Sequence, residues 1–163
     1  MTSVLRKFRG AGVVAALIAG LALSACANKA NDSLASAGVA APGSQQDFVV
    51  NVGDRVFFES DSTELTVQSR TTLDKQAHWL QQYGNYTFTI EGHADERGTR
   101  EYNLALGARR AAATRDFLTS KGVAGNRMKT ISYGKERPVA VCDDISCWSQ
   151  NRRAVTVLNG AGS

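Results

Sequence analysis

Hydrophobic and polar positions follow three regimes along the chain. Ala11–Leu23 (AGVVAALIAGLAL) carries no charge. Ala27–Gln46 (ANKANDSLASAGVAAPGSQQ) is small and polar with no apolar period, and Pro42-Gly43 breaks any helix there. From Asp47 the pattern becomes globular. Asp54–Phe58 (DRVFF) predicts a strand, and Tyr86–Glu91 (YTFTIE), rich in aromatic and β-branched residues, a second. Between them, the stretch Thr66–Tyr83 and its flank place Leu65, Leu73, Ala77 and Leu80 at helical spacing. Another helix is predicted from Thr99, an acceptable N-cap, to Gly122, a natural C-cap residue. Met128–Tyr133 and Ala154–Leu158 read as two further strands. The order strand-helix-strand-helix-strand, then a loop with two cysteines and a last strand, predicts a small α/β (α+β) sandwich with helices on one face of a mixed sheet.

The first regime is short. Thirteen residues rise about 20 Å as a helix, against a hydrocarbon core of roughly 30 Å. Arg6, Lys7 and Arg9 precede it, no acid accompanies them, and small residues follow. Residues 1–25 therefore read as a secretory signal rather than a permanent span. The signal ends in Leu23-Ser24-Ala25-Cys26, which resembles the lipobox of bacterial lipoproteins. The resemblance implies cleavage before Cys26, diacylation of its thiol and acylation of its amine. Residues 26–46 then form a lipidated tether. Twenty residues of flexible coil span roughly 25 Å on average, and up to about 65 Å when pulled straight. A globular domain is expected over 47–159, with 160–163 as a tail.

Composition narrows the class. The 163 residues are 43% hydrophobic and 21% charged, which suits one ordinary domain and argues against wholesale disorder. Two prolines beside 15 glycines exclude collagen-like and proline-rich architectures. The formal charge of +4 suggests a nucleic-acid or membrane-surface partner, but removal of the signal takes most of that excess with it. No nucleic-acid partner is expected. Cys142 and Cys147, with four residues between them in an exported chain, predict a disulfide. The rival, a metal pair, lacks a nearby His or third Cys.

The densest polar cluster runs from Glu91 to Arg110 (EGHADERGTREYNLALGARR), from a strand end into a helix, with Gly92 and Gly98 read as turn residues. Ligand sites collect at such strand exits. On the helix, Leu106, Ala113 and Phe117 fall on one stripe, with Arg110 at its edge and Asn103 nearly above it. A guanidinium there needs a partner. Either Arg110 pairs with Asp95 or another carboxylate inside the fold, or Asp95 and Arg110 face a ligand carrying both an amine and a carboxylate. Sequence physics alone leaves both open. His93 is expected to be held by hydrogen bonds under the loop, not to ligate a metal. Trp79 reads as packing, and the role of Trp148 is open. No Gly-x-Ser-x-Gly elbow accompanies Ser60, Ser62 and Thr63, and the cluster mixes its carboxylates with too many arginines for an acid–base dyad.

Residues 47–159 resemble the OmpA-like peptidoglycan-binding domain family. Gly92-His93-Ala94-Asp95 is similar to its signature Gly-His-(Thr/Ala)-Asp. Asn103, Leu106, Gly107, Arg110 and Ala111 match its downstream Asn-x-x-Leu-(Ser/Gly)-x-x-Arg-Ala, and Asn151-Arg152-Arg153 also fits. With the lipobox and tether, the arrangement is similar to that of the peptidoglycan-associated lipoproteins. The resemblance implies a non-enzymatic outer-membrane lipoprotein without cofactor, its domain in the periplasm. It implies that Asp95 and Arg110 grip the meso-diaminopimelate of a peptidoglycan stem peptide, with Asn103, Arg97 and Asp61 as further contacts. It also implies TolB and the Tol machinery of envelope constriction as partners. The family usually carries an aromatic before the position of Asp61; Ser60 stands there instead. Ala27 after the lipidated cysteine favours outer-membrane placement.

Overall fold

A computed structural model describes residues 40–160. The signal, the lipobox with Cys26 and most of the expected tether lie outside the described residues. The chain enters through a short helix α1 (Gln45–Asp47) that continues as a π-turn over Phe48–Val52. The remaining elements are β1 (Arg55–Phe57), α2 (Val67–Gln82), β2 (Phe88–His93), α3 (Arg100–Ser120), β3 (Met128–Gly134), α4 (Ile145–Asn151) and β4 (Arg153–Leu158). Among the described residues no helix is long and apolar enough to cross a membrane.

The four strands form one mixed sheet in the order β1-β4-β2-β3. β4 is antiparallel to both β1 and β2, while β2 and β3 are parallel and joined by α3 as the crossover. Val56, Phe58, Phe88, Ile90 and Ala154 are buried together with Leu73, Ala77 and Leu80 of α2 and Ala111 and Leu118 of α3. The expected sandwich of helices against a mixed sheet is therefore present.

Helix ends follow their capping chemistry. The Thr66 hydroxyl accepts the Ser69 amide, and the Thr99 hydroxyl accepts the Tyr102 amide. α3 stops where Gly122 takes φ +90°, with Val123 N–H donating to Leu118 and Gly122 N–H to Thr119, a Schellman closure.

Four sequence expectations change. Residues 40–46, read as the end of the tether, belong to the folded body. Tyr86 donates its hydroxyl proton to the Gly43 carbonyl, the Gln45 side chain reaches Leu158, and Phe48 behind them is 1% exposed. The two-cysteine segment is not all loop, because α4 contains Cys147 and is capped by Asp144. Gly92 is not a turn residue; it lies within β2. A Cβ there would overlap the carbonyl of Gly107, so β2 and α3 meet backbone to backbone. Close approach also explains the fourth change, in the buried face of α3. That face consists of Asn103, Leu106, Gly107, Arg110, Ala111, Thr114 and Leu118, while Ala113 and Phe117 are only half-buried.

Trp79 packs as expected, in an aromatic cluster with Phe48, Tyr83 and Tyr86, its indole N–H bonded to Asp47 at 2.9 Å. The disulfide Cys142–Cys147 is formed, with a Cα–Cα distance of 5.7 Å.

Candidate functional site

Four segments converge where β2 ends. They are the 94–99 loop, the first turns of α3, the β1–α2 connection and Arg152, between α4 and β4. Side chains of the first three enclose a pocket of about 260 Å³ lined by Ser60, Asp61, Asp95, Arg97, Tyr102 and Asn103. A larger groove of about 520 Å³ runs beside β1 and the start of α2, past Phe57, Thr66, Ser69 and Thr72. It is less concentrated in charge, so the smaller pocket is the better candidate.

Asp95 is the focus of positive charge. Arg97 meets both carboxylate oxygens, with Nη2–Oδ2 at 2.6 Å and Nε–Oδ1 at 3.2 Å, and Arg152 Nη1 lies 3.4 Å from Oδ2. Burial pushes the Asp95 carboxyl up, but the hydrogen bonds and charge of Arg97, with the Arg152 hydrogen bond, outweigh it and hold Asp95 below its ordinary value.

Arg110 does not line the pocket; it is fully buried, within the electrostatic reach of Asp95 and Asp61. The first sequence alternative, an internal ion pair with a carboxylate, does not describe its partners. It forms no ion pair with Asp95; instead Nε donates to the Ser62 carbonyl at 2.9 Å, Nη1 to His93 at 2.9 Å and Nη2 to Glu59 at 3.1 Å. The guanidinium therefore ties the β1–α2 connection to the end of β2. A guanidinium has five N–H donors, so one on each terminal nitrogen has no assigned partner among the described residues. Burial lowers its pKa to about 10 against the opposing pull of Asp95, and it stays protonated at neutral pH.

The other expected residues divide by role. Asn103 is buried and donates to the carbonyls of Arg97 at 2.7 Å and Thr99 at 3.1 Å, so it shapes the loop in which Gly98 takes φ +86°. Asp61 reaches the rim in a left-handed conformation, φ +54°, which Asp tolerates better than most residues. It accepts the hydroxyl of Tyr102. That tyrosine, half-exposed on the first turn of α3, supplies at the pocket an aromatic ring that Ser60 lacks.

His93 departs from expectation. It is buried, yet both ring nitrogens have no hydrogen-bond partner among the described residues. Its ring lies 5.6 Å from that of Tyr133, and the nearest Glu91 oxygen is 3.7 Å away. Burial first, then the charges of Arg153 and Arg137, lower its pKa to about 4.

Three further residues escape a local reading. Trp148 of α4 places its ring 4.2 Å from the Arg97 guanidinium and donates its indole N–H to Glu96. Lys135 clamps the carbonyls of Gly98 and Glu96 at 2.6 and 3.1 Å. Arg152 joins Asp95 to the Phe58 carbonyl. Only the Asn151-Arg152-Arg153 triplet gave any signal in sequence.

The profile of the OmpA family matches residues 57–152, which spans β1 to the end of α4 and every residue named at the pocket. The peptidoglycan-associated lipoprotein of Rhizobium meliloti is 70% identical over 157 residues, covering 93% of this chain and 89% of that protein. The peptidoglycan-associated lipoprotein of Agrobacterium fabrum is 65% identical over 167 residues, covering 98% and 94%. Among solved structures, the peptidoglycan-associated lipoprotein from Burkholderia pseudomallei superposes with a TM-score of 0.63 at 42% identity, covering 65% of this chain and 90% of that one. The C-terminal domain of Helicobacter pylori MotB shares the fold, with a TM-score of 0.61 at 22% identity over 65% of this chain and 84% of its own. On the profile match across the folded body and the near full-length relatives, the chain belongs to the OmpA family.

Proposed function

We propose that this protein is a non-enzymatic outer-membrane lipoprotein that binds peptidoglycan noncovalently and links the membrane to the wall. Cys26 carries the lipid, the tether lets the domain hang from the membrane, and the pocket at the end of β2 takes the meso-diaminopimelate of a stem peptide. The observation that carries this reading is a carboxylate on the pocket wall, Asp95, with a buried guanidinium that keeps spare donors, Arg110, within its electrostatic reach. A side chain bearing an amine and a carboxylate satisfies both: the ammonium goes to Asp95 and the carboxylate to the two spare N–H groups of Arg110. Asp61, Arg97 and Asn103 frame these two. Relatives named peptidoglycan-associated lipoproteins support peptidoglycan as the partner and an envelope location. Engagement of TolB, as part of a Tol-Pal system acting in envelope integrity and division, completes the proposal.

Co-sedimentation of the delipidated chain with purified walls tests the ligand. Walls whose stem peptides carry meso-diaminopimelate with its side-chain amine free should retain it, and lysine-type walls, which lack the second carboxylate, should retain far less. Equal retention overturns the proposed geometry. Pull-down with purified TolB tests the partner, and a Cys26→Ser chain recovered only in the soluble fraction tests the anchor, because acyl chains bury roughly 0.8 kcal/mol per CH₂.

A further inference from the structure

In the pocket the carboxylate of Asp95 is already held by a cation, and the chain itself supplies it. Arg97 meets both oxygens in the fork-on-carboxylate geometry that an incoming ammonium would have to replace. Three features separate Arg97 from the other guanidiniums nearby. Its side chain is 44% exposed, against 6% for Arg152 and a fully buried Arg110. Its grip is reinforced from outside, by the Trp148 ring 4.2 Å away and by Ser60 Oγ, which accepts from Nη2 at 2.9 Å. Its backbone is fixed apart from the guanidinium, since Asn103 holds the Arg97 carbonyl at 2.7 Å and the Arg97 N–H donates to Asp95 Oδ1 at 3.3 Å. The guanidinium can therefore swing out without disturbing the loop that presents Asp95.

Charge gives the swing a direction. Arg97 and Arg152 both bond Asp95, and Asp95 and Asp61 both act on Arg97 and on Arg110. An ammonium added beside Asp95 with Arg97 still in place would share that carboxylate with three arginines. Departure of Arg97 removes the nearest of these like charges. Trp148 controls the departure, because its ring stacks on the planar guanidinium and its indole N–H is tied to Glu96.

We propose that Arg97 is an internal occupant of the cation subsite, displaced from Asp95 when an ammonium-bearing ligand binds, and that Trp148 sets how firmly it holds. The inference rests on reading the pocket as a diaminopimelate site. It reverses the sign expected of an ordinary contact residue. Removing a contact weakens binding, whereas removing an internal competitor strengthens it.

Calorimetric titration of the full mature chain with a soluble diaminopimelate stem peptide tests this. Arg97→Gln should tighten binding roughly three- to tenfold, the scale of a partly exposed bidentate ion pair with a stacked ring. Arg97→Lys, which keeps a cation without the fork, should fall between Arg97→Gln and wild type. Trp148→Ala should tighten binding roughly two- to threefold, and should add nothing in an Arg97→Gln background. Thermal melts of each variant verify folding, and Trp148→Ala keeps the test alive should Arg97→Gln prove unfolded. Weakened or unchanged binding by folded Arg97→Gln, or an additive Trp148→Ala effect in that background, overturns the competitor role while leaving the ligand reading intact. Failure of wild type to bind the peptide overturns the ligand reading, and this inference with it.

Discussion

Arg110 and Arg127 stand at opposite ends of β2 and are wired alike. Arg127 donates from Nε, Nη1 and Nη2 to the carbonyls of Tyr86, Leu80 and Tyr83, at 2.8, 2.9 and 3.2 Å. Arg110 does the same toward Ser62, His93 and Glu59. Each guanidinium lies near a phenylalanine, Phe88 at 5.9 Å and Phe58 at 5.2 Å. Burial lowers the pKa of both. The surroundings differ. Two of the three acceptors of Arg127 are the Leu80 and Tyr83 carbonyls at the end of α2, groups that a helix terminus leaves without partners. No carboxylate contributes to its titration. Arg110 instead joins the β1–α2 connection to the end of β2, neither of them a helix end, and Asp95 and Asp61 both act on it. A buried arginine bonded to three carbonyls is thus a structural device this fold uses twice. Only the copy with carboxylates acting on it is the one we propose to serve a ligand.

Substitution of the two arginines is the strongest way to break that comparison. Arg110→Ala leaves three carbonyls unpaired and removes a buried charge opposite Asp95, which should cost about 3–5 kcal/mol of stability. Arg127→Ala frees carbonyls that water can reach at a helix end, and should cost about 2 kcal/mol. Denaturant melts measure both. Stem-peptide binding separates them: Arg110→Ala should lose on the order of 2–4 kcal/mol of affinity and Arg127→Ala almost none. Arg110→Lys should also bind weakly, since it keeps the charge without the fork. Against a lysine-type peptide, Arg110→Ala should lose little beyond wild type, because the carboxylate it serves is absent. Equal binding losses at the two arginines would reduce Arg110 to a second staple.

Acid sharpens the contrast next, through a group found only at the site end. His93 is neutral in the fold, with a pKa of about 4 against 6.5 for the free side chain. Between those values the unfolded chain binds the proton and the folded one does not, so stability rises with pH across this window. The contribution is fully present above pH 6.5 and is lost as pH falls toward 4. It amounts to about 3 kcal/mol at 1.36 kcal/mol per unit. Stability measured at pH 7.5 and pH 4.5 should fall steeply for wild type and more gently for His93→Gln. Matching pH profiles would mean that His93 is not the group responsible.

The sequence made different parts of this molecule legible. Strand runs such as YTFTIE and the spacing of Leu73, Ala77 and Leu80 mark elements that bury apolar surface in the ordinary way, and all are found. The buried face of α3 is not marked by hydrophobicity, because it holds Asn103, Gly107, Arg110, Ala111 and Thr114. The contact of Gly107 with Gly92 brings helix and strand so close that small residues are required there, and a pattern search tuned to large apolar residues points to Ala113 and Phe117 instead. Asp95 and Arg110 are legible as chemistry, but their partners are not. Trp148 meets Arg97, and Lys135 meets Gly98, across separations that no local period encodes.

The smallest effect concerns the staple beside the site. Cys142 and Cys147 close a loop with a sequence separation of 5, which on the chain-entropy model stabilises the fold by about 2 kcal/mol. Reduction does not release α4 altogether. The Asp144 side chain still caps it through the Ser146 amide at 2.8 Å, and Asn151 still holds Val139 and Ala140 at 2.8 and 3.2 Å. Trp148 therefore stays close to Arg97, and Asp95 and Arg110 keep their partners. Reduction should lower stability by about 1–2 kcal/mol and change stem-peptide affinity by less than twofold. Native protein isolated without reductant should resist alkylation at both cysteines. Two freely alkylated thiols would remove the staple from the native state. A large binding loss on reduction alone would mean that α4 depends on the disulfide to hold the recognition loop, and that the site end is less rigid than its hydrogen bonds imply.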